Sequence, residues 1–264
     1  MVDNIINLYY NCCEDNLIGG DSVNVIINDK SIPNLGIINR KITLGEEYDL
    51  VTSFIEKAID KQKKKNNNKG VAILVEPEID FAFPDVVVAD YDPNMYKNWT
   101  EKRNGLSKSD IRLLYYLINY NVSSATDLFK KIGLNSQKAL TTLEKLYDCG
   151  LVLRKNGYWC ATENANAFGV TNLRVIEAKI GKWDEVITQA VANKRFASES
   201  YVLTKLKNQP ENRTIMKLTQ NQLGLYLYKN EDIKTFLKSP KGKQQCNLPF
   251  LWINEVVGRL ANAQ

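Results

Sequence analysis

Three charged side chains stand where strand-like sequence ought to be apolar. Asp85 follows a proline and opens a run of valines in "FPDVVVAD" (83–90), while Glu177 and Lys179 interrupt "LRVIEAKIGKW" (173–183). A charge inside a covered strand is costly unless it is paired or bound to a metal. Residues i and i+2 of a strand point to one side, so Glu177 and Lys179 share a face while Ala178 points away. If the two segments pair as strands, Asp85 converges with them, and two carboxylates and one ammonium occupy a small site. Crowded carboxylates repel and raise a pKa unless a cation sits between them. Mg²⁺ suits that place, because it takes oxygens from carboxylates, a backbone carbonyl, water or a substrate phosphate. The lysine would then orient or help deprotonate a water, or neutralise charge on a scissile phosphate. The competing reading is structural: a strand-start acid at 85 and a solvated cross-strand ion pair at 177 and 179. Apolar residues facing both ways around "VIEAKI" favour a covered sheet instead.

An absence narrows the chemistry further. Among 264 residues there is no histidine, which removes Ser-His-Asp and Cys-His catalysis, imidazole bases and His-ligated zinc. What remains is carboxylate, lysine and tyrosine chemistry, or a hard metal ion held by oxygen. The length allows one large domain or two ordinary ones, and 44% hydrophobic with 25% charged residues suffices for a sizeable core. The net charge of +5 is compatible with a polyanionic partner without requiring one. Cys12, Cys13, Cys149, Cys160 and Cys246 form no CxxC or metal-finger spacing, which reads as reduced thiols of a cytoplasmic chain. No leader pattern opens "MVDNIINLYYNCCEDN", and no apolar run is long enough to span a bilayer, so no membrane role is expected.

The secondary structure around these residues is legible in outline. "VNVIIND" (23–29) suggests a strand, and "GEEYDLVTSFIEKAIDKQKK" (45–64) a helix with Leu50, Phe54, Ile55, Ala58 and Ile59 on one stripe, acids early and lysines late. "VAILVEPEI" (71–79) and "FPDVVVAD" follow as strands, and 91–105 reads as a linker. After it come "NLRVIEAKI" (172–180) as a strand, "KWDEVITQAVANKRFA" (182–197) as a helix, strands at 200–206 and 222–230, and a closing helix at 250–263. "KQKKKNNNK" and "KSPKGKQQ" read as solvated lysine-rich surface.

Residues 106–162 differ in character. A Ser-capped helix (107–120), a short helix ending at Gly133, a third helix (135–150) capped by Asn135 or Ser136, and a hairpin turning at Asn156-Gly157 follow one another. "SSATDLFKKIGLNSQKALTTLEKLYDCGLVLRKNGYW" resembles a winged helix-turn-helix over its whole length. The resemblance implies that 135–147 faces the DNA major groove and 153–158 is the wing. Asn135, Ser136, Gln137, Lys138, Thr141 and Lys145 would then be the DNA-facing residues of the helix, and Arg154 and Lys155 those of the wing. A winged helix used only for packing or protein contacts is the alternative.

With that insert set aside, a helix, strands bearing Pro-Asp and Glu-x-Lys, a helix and further strands remain. This order is similar to the PD-(D/E)xK nuclease superfamily of restriction endonuclease-like folds, over roughly 45–90 and 172–230. The fold class implied is α/β: a discontinuous mixed-sheet core (1–105 and 163–264) with a winged-helix insert (106–162). The resemblance implies Asp85, Glu177 and the Ala178 carbonyl as metal ligands and Lys179 as the catalytic lysine. It also implies an acid from the preceding helix, with Glu56 the first choice and Glu47 the second. Gln189 matches a position where some members carry a glutamine, although the tyrosine expected four residues later is missing.

The expected function is therefore Mg²⁺-dependent cleavage of DNA, with Mn²⁺ as a substitute ion, in a restriction or defence setting. Homodimers are common among such enzymes, but no segment identifies an interface. The alternative is a DNA-binding protein or transcriptional regulator whose nuclease-like core is inactive.

Overall fold

The computed structural model describes residues 24–65, 68–80, 82–120, 122–133, 135–206, 210–243 and 246–263. Cys12, Cys13 and the start of the first expected strand lie outside them. The chain is α/β, built on a seven-stranded mixed sheet of order β1-β2-β3-β7-β8-β9-β10. Strands β1 (Val25–Asn28) and β2 (Gly70–Val75) are parallel, and β3 (Val86–Tyr91) runs antiparallel to both β2 and β7 (Val170–Ala178). β7, β8 (Glu199–Lys205) and β9 (Gly224–Lys229) are mutually parallel, and β10 (Asp232–Leu237) closes the edge antiparallel.

Strand alternation sends the two halves of each strand's side chains to different helices. Helix α1 (Glu46–Lys63) covers one face, packing Leu50, Val51, Phe54, Ile55 and Ile59 on Ile73, Val88, Ile176 and Leu203. Complete burial of each such side chain contributes about 1.5–3 kcal/mol. On the other face, α5 (Trp183–Asn193) and α6 (Asn212–Gln220) bury Val186, Ala190 and Leu218 against Val202 and Leu225. Helix α7 (Leu248–Asn262) covers the rest of that face and is buried almost all round, from Phe250 to Leu260. A helix buried on every side needs cover on every side.

That cover comes from residues 106–162. Here α2 (Lys108–Tyr120), β4 (Val122–Ser124), α3 (Ala125–Ile132), α4 (Ser136–Asp148), β5 (Val152–Lys155) and β6 (Tyr158–Ala161) follow in order, with a three-stranded sheet β4-β6-β5. Local chemistry sets the boundaries. Ser107 and Asp110 exchange backbone and side-chain hydrogen bonds in a reciprocal cap, Ser124 caps α3, and Asn135, not Ser136, caps α4. Gly133 and Gly150 take the left-handed conformation after their helices, and Asn156-Gly157 turns the hairpin with both φ values positive. Leu114, Leu117 and Leu143 join one apolar cluster with Ile253 and Val257 of α7, so the unit is seated directly on the main core.

The segment 91–105 is not the loose linker its sequence suggests. It forms two short 3-10 turns whose Tyr96 and Arg103 are buried. Arg103 gives a two-pronged ion pair to Glu255, at 3.2 and 2.6 Å, and Arg259 of the same helix contacts Glu255 at 3.4 Å. Arg259 also donates to the carbonyls of Leu35 and Leu106, at 2.7 and 2.8 Å. Trp99 stacks over the Arg103 guanidinium. The segment is thereby locked to α7.

Candidate active site

The register of the sheet decides whether the sequence pattern means anything. β2 and β3 pair Val75 with Val86, and β3 and β7 pair Val86 with Ile176. One step further along, Glu76, Asp85 and Glu177 fall into a cross-strand row. Their apolar neighbours Leu74, Val87 and Val175 belong to the cluster on the α7 side, whereas Val75, Val86 and Ile176 belong to that under α1. Asp85 and Glu177 therefore leave the sheet on the same face, and the Arg40 guanidinium that reaches both Asp85 and Glu76 puts Glu76 beside them.

Backbone contacts tie the row together. Asp85 Oδ2 accepts the N–H of Ala178 at 2.7 Å, and the Asp85 carbonyl accepts the N–H of Glu76 at 3.0 Å. Glu177 is buried, and its Oε1 accepts from Nδ2 of Asn193 at 2.5 Å. Lys179 lies just past the end of β7, where its Nζ is 3.3 Å from Glu47 of α1 and 3.9 Å from Glu185 of α5. Glu47 Oε1 accepts the N–H of Ile180 at 3.3 Å, and Thr204 donates to the Lys179 carbonyl at 2.6 Å. The chain around Lys179 is held from both neighbouring elements.

Charge in the row is badly balanced. Burial, reinforced by Asp85, pushes Glu177 from its ordinary 4.5 up to about 8, even though Asn193 opposes the shift. Burial and then Asp85 likewise lift Glu76 to about 7, with Arg40 working against them. Burial raises Asp85 as well, countered by the Ala178 N–H and by the charges of Arg40 and Lys179. Arg40 provides the nearest positive charge, with Nη2 at 2.5 Å from Glu76 Oε2 and 3.6 Å from Asp85 Oδ1. Acids held this close and this dry are stabilised in the charged form by added positive charge or by further hydrogen-bond donors.

Asp85, Glu177 and the Ala178 carbonyl are hard oxygen donors of the kind that suits Mg²⁺ or Mn²⁺. Their excess negative charge also fits a cation. Among the described residues, however, no group of three or more His, Cys, Asp or Glu side chains converges as a ready-made cation cage.

Two of the residues expected from the sequence take no part in the row. Glu56 is exposed on the outer side of α1, about 14 Å along the axis from Glu47; Glu47 is the acid that α1 brings to Lys179. Gln189 is exposed on α5, and the amide that reaches Glu177 belongs to Asn193, one turn later. Arg40, Glu76 and Asn193 are the members that the strand motifs alone do not announce.

The second candidate surface lies on the inserted unit. Gln137, Lys138, Thr141 and Lys145 project from the exposed side of α4, and Arg154 and Lys155 from the hairpin. A cleft of about 440 Å³ runs between the start of α2 and this side of α4, lined by Ser107, Asn135, Gln137, Lys138, Thr141 and Lys145 among others. Asn135 Oδ1 is committed to its cap on Lys138 N, and Lys145 stands 3.6 Å from the buried Asp110. Thr142 also donates to Asp110, at 2.7 Å, which fixes α4 on α2. No helix among the described residues is long and apolar enough to cross a membrane. No family model, no curated protein and no solved structure matches this chain.

Proposed function

We propose that the chain is a metal-dependent deoxyribonuclease of the PD-(D/E)xK type, with residues 106–162 serving as a winged helix that holds DNA. The observation that carries this reading is the placement of Asp85 and Glu177 side by side on one face of the sheet, with Lys179 just past the strand end, where its charge acts on Asp85. Buried acids in excess of their counter-charges are a recurrent sign of a functional site.

Mg²⁺, or Mn²⁺ in its place, would be held by Asp85, Glu177 and the Ala178 carbonyl and would supply Lewis-acid charge at a phosphodiester. The protein's own groups divide the remaining work. Glu47 fixes the Lys179 ammonium, which is 21% exposed and so both oriented and reachable. From there Nζ can hold a water or the departing charge of a phosphate oxygen. Asn193 fixes the rotamer of Glu177. On the insert, Lys138, Lys145, Arg154 and Lys155 supply phosphate contacts, and Gln137 and Thr141 lie where base edges would be read.

Incubation of the full chain with plasmid and linear DNA in Mg²⁺ or Mn²⁺ tests the proposal. Cleavage by the wild type, abolished in Lys179→Ala with DNA binding kept, supports it. Binding without cleavage of any DNA form in either ion favours the second reading, a DNA-binding protein with an inactive core. One observation already speaks for that second reading: Arg40 is seated between Glu76 and Asp85.

A further inference from the structure

Arg40 reaches the row from a stretch that is itself fastened to the end of β2. Its N–H donates to the Glu76 carbonyl at 2.9 Å, Glu78 N donates to the Ile38 carbonyl at 2.8 Å, and Asn39 Nδ2 donates to the Val75 carbonyl at 2.6 Å. The root of the side chain is therefore fixed by the backbone, while the side chain itself is 53% exposed, against 16% for Glu76 and 19% for Asp85. Glu76, for its part, holds a φ of 51°, which costs a non-glycine residue about 1 kcal/mol or more.

We propose that Arg40 is a built-in counter-ion that takes the place of a divalent cation in the row, and that Glu76 is a third carboxylate ligand, released to the cation when Arg40 swings out. This rests on the nuclease reading of the same row. Glu76 and Asp85 already lie within hydrogen-bond reach of each other, with the one guanidinium beside both, whereas a cation of the Mg²⁺ class draws its oxygens to about 2.1 Å. A divalent ion would bring two charges to a row that Arg40 serves with one. The Phe83 ring, 6.0 Å from the guanidinium carbon, offers the displaced side chain a face to rest on.

The test is Mn²⁺ binding to the full chain without DNA, followed by the electron paramagnetic resonance of free Mn²⁺. Arg40→Gln should bind Mn²⁺ roughly tenfold or more tightly than the wild type, because a competing charge is gone. Glu76→Gln should bind it roughly tenfold more weakly, as loss of one carboxylate ligand requires. In chelator, Arg40→Gln should melt below the wild type and regain the difference when Mn²⁺ is added. Equal or weaker binding by Arg40→Gln makes Arg40 a scaffold and overturns the inference, as does wild-type affinity in Glu76→Gln. Should Arg40→Gln not fold, Arg40→Met removes the same charge and keeps most of the side chain's bulk. It is predicted to bind more tightly than wild type, and no gain counts against the proposal. Failure of wild type and Arg40→Gln alike to bind Mn²⁺ sinks the cation site itself, and the nuclease reading with it. Binding by wild type that Arg40→Gln leaves unchanged overturns only the role given to Arg40.

Discussion

Asn193 Nδ2 donates a 2.5 Å hydrogen bond to Glu177 Oε1, so a neutral amide on α5 steadies an acid buried in the sheet. Asn193→Ala should cost about 1–3 kcal/mol, since it leaves a buried acceptor without its donor. Cleavage should fall roughly 10–100-fold, as is usual when a partner that orients a metal ligand is removed. Gln189→Ala, on the exposed side of the same helix, should change neither. Urea unfolding and a DNA cleavage assay on the two variants read the contrast.

The same reasoning separates the two acids of α1. Glu47→Gln removes the partner of Lys179 and should reduce cleavage at least tenfold with little change in stability, because partly exposed ion pairs contribute under about 1 kcal/mol. Glu56→Gln should behave as wild type. Equal losses in both variants would mean that Lys179 is not oriented through Glu47.

The acids of the row also set a pH dependence. In the folded chain Glu177 keeps its proton up to about 8 and Glu76 up to about 7, while unfolded carboxyls release theirs near the ordinary 4.5. The folded state binds more protons in that window, so stability in chelator is full below about pH 4.5 and falls as the pH climbs to 8. Denaturation midpoints at intervals across this range should show the decline. Glu177→Gln should flatten it, and an unchanged slope in that variant would contradict the assignment.

How far the sequence spoke for itself follows from helix stripes. The juxtaposition of Asp85 and Glu177 was readable because apolar flanks mark a covered sheet, whereas β7 ends at Ala178 and the Lys179 ammonium turns to Glu47 and Glu185. Glu47 was also within reach: it continues the buried stripe Leu50, Val51, Phe54 and Ile55 by one turn, and Glu56 lies off it. Asn193 likewise extends the stripe Val186, Ile187 and Ala190, which Gln189 leaves. Glu76 and Arg40 were harder, since "VEPE" reads as a turn and Arg40 arrives from an irregular stretch whose docking is tertiary. Helix α6, nine residues long, and the largely exposed edge strand β10 have too little apolar pattern to declare themselves.

Glu255 holds two buried guanidiniums, so removing it leaves Arg103 without its ion partner and Arg259 with only the carbonyls of Leu35 and Leu106. Glu255→Ala should destabilise the chain by about 3–5 kcal/mol, the usual cost of breaking a buried ion pair from one side. Chemical unfolding measures it, and a loss under 1 kcal/mol would show that the network is hydrated.

On the insert, Lys138→Ala, Lys145→Ala, Arg154→Ala and Lys155→Ala should each weaken DNA binding across all sequences. Each should also lower the slope of log affinity against log salt by about 1. Fluorescence anisotropy at several salt concentrations gives both quantities. Unaltered slopes would move the DNA to another surface.

The most direct measurement is anomalous scattering from crystals of the full chain grown or soaked with Mn²⁺. A peak bounded by Asp85, Glu177 and the Ala178 carbonyl is expected in wild type and is lost in Asp85→Asn. A strong peak elsewhere, or none beside these residues at Mn²⁺ levels that saturate binding in solution, would contradict that expectation.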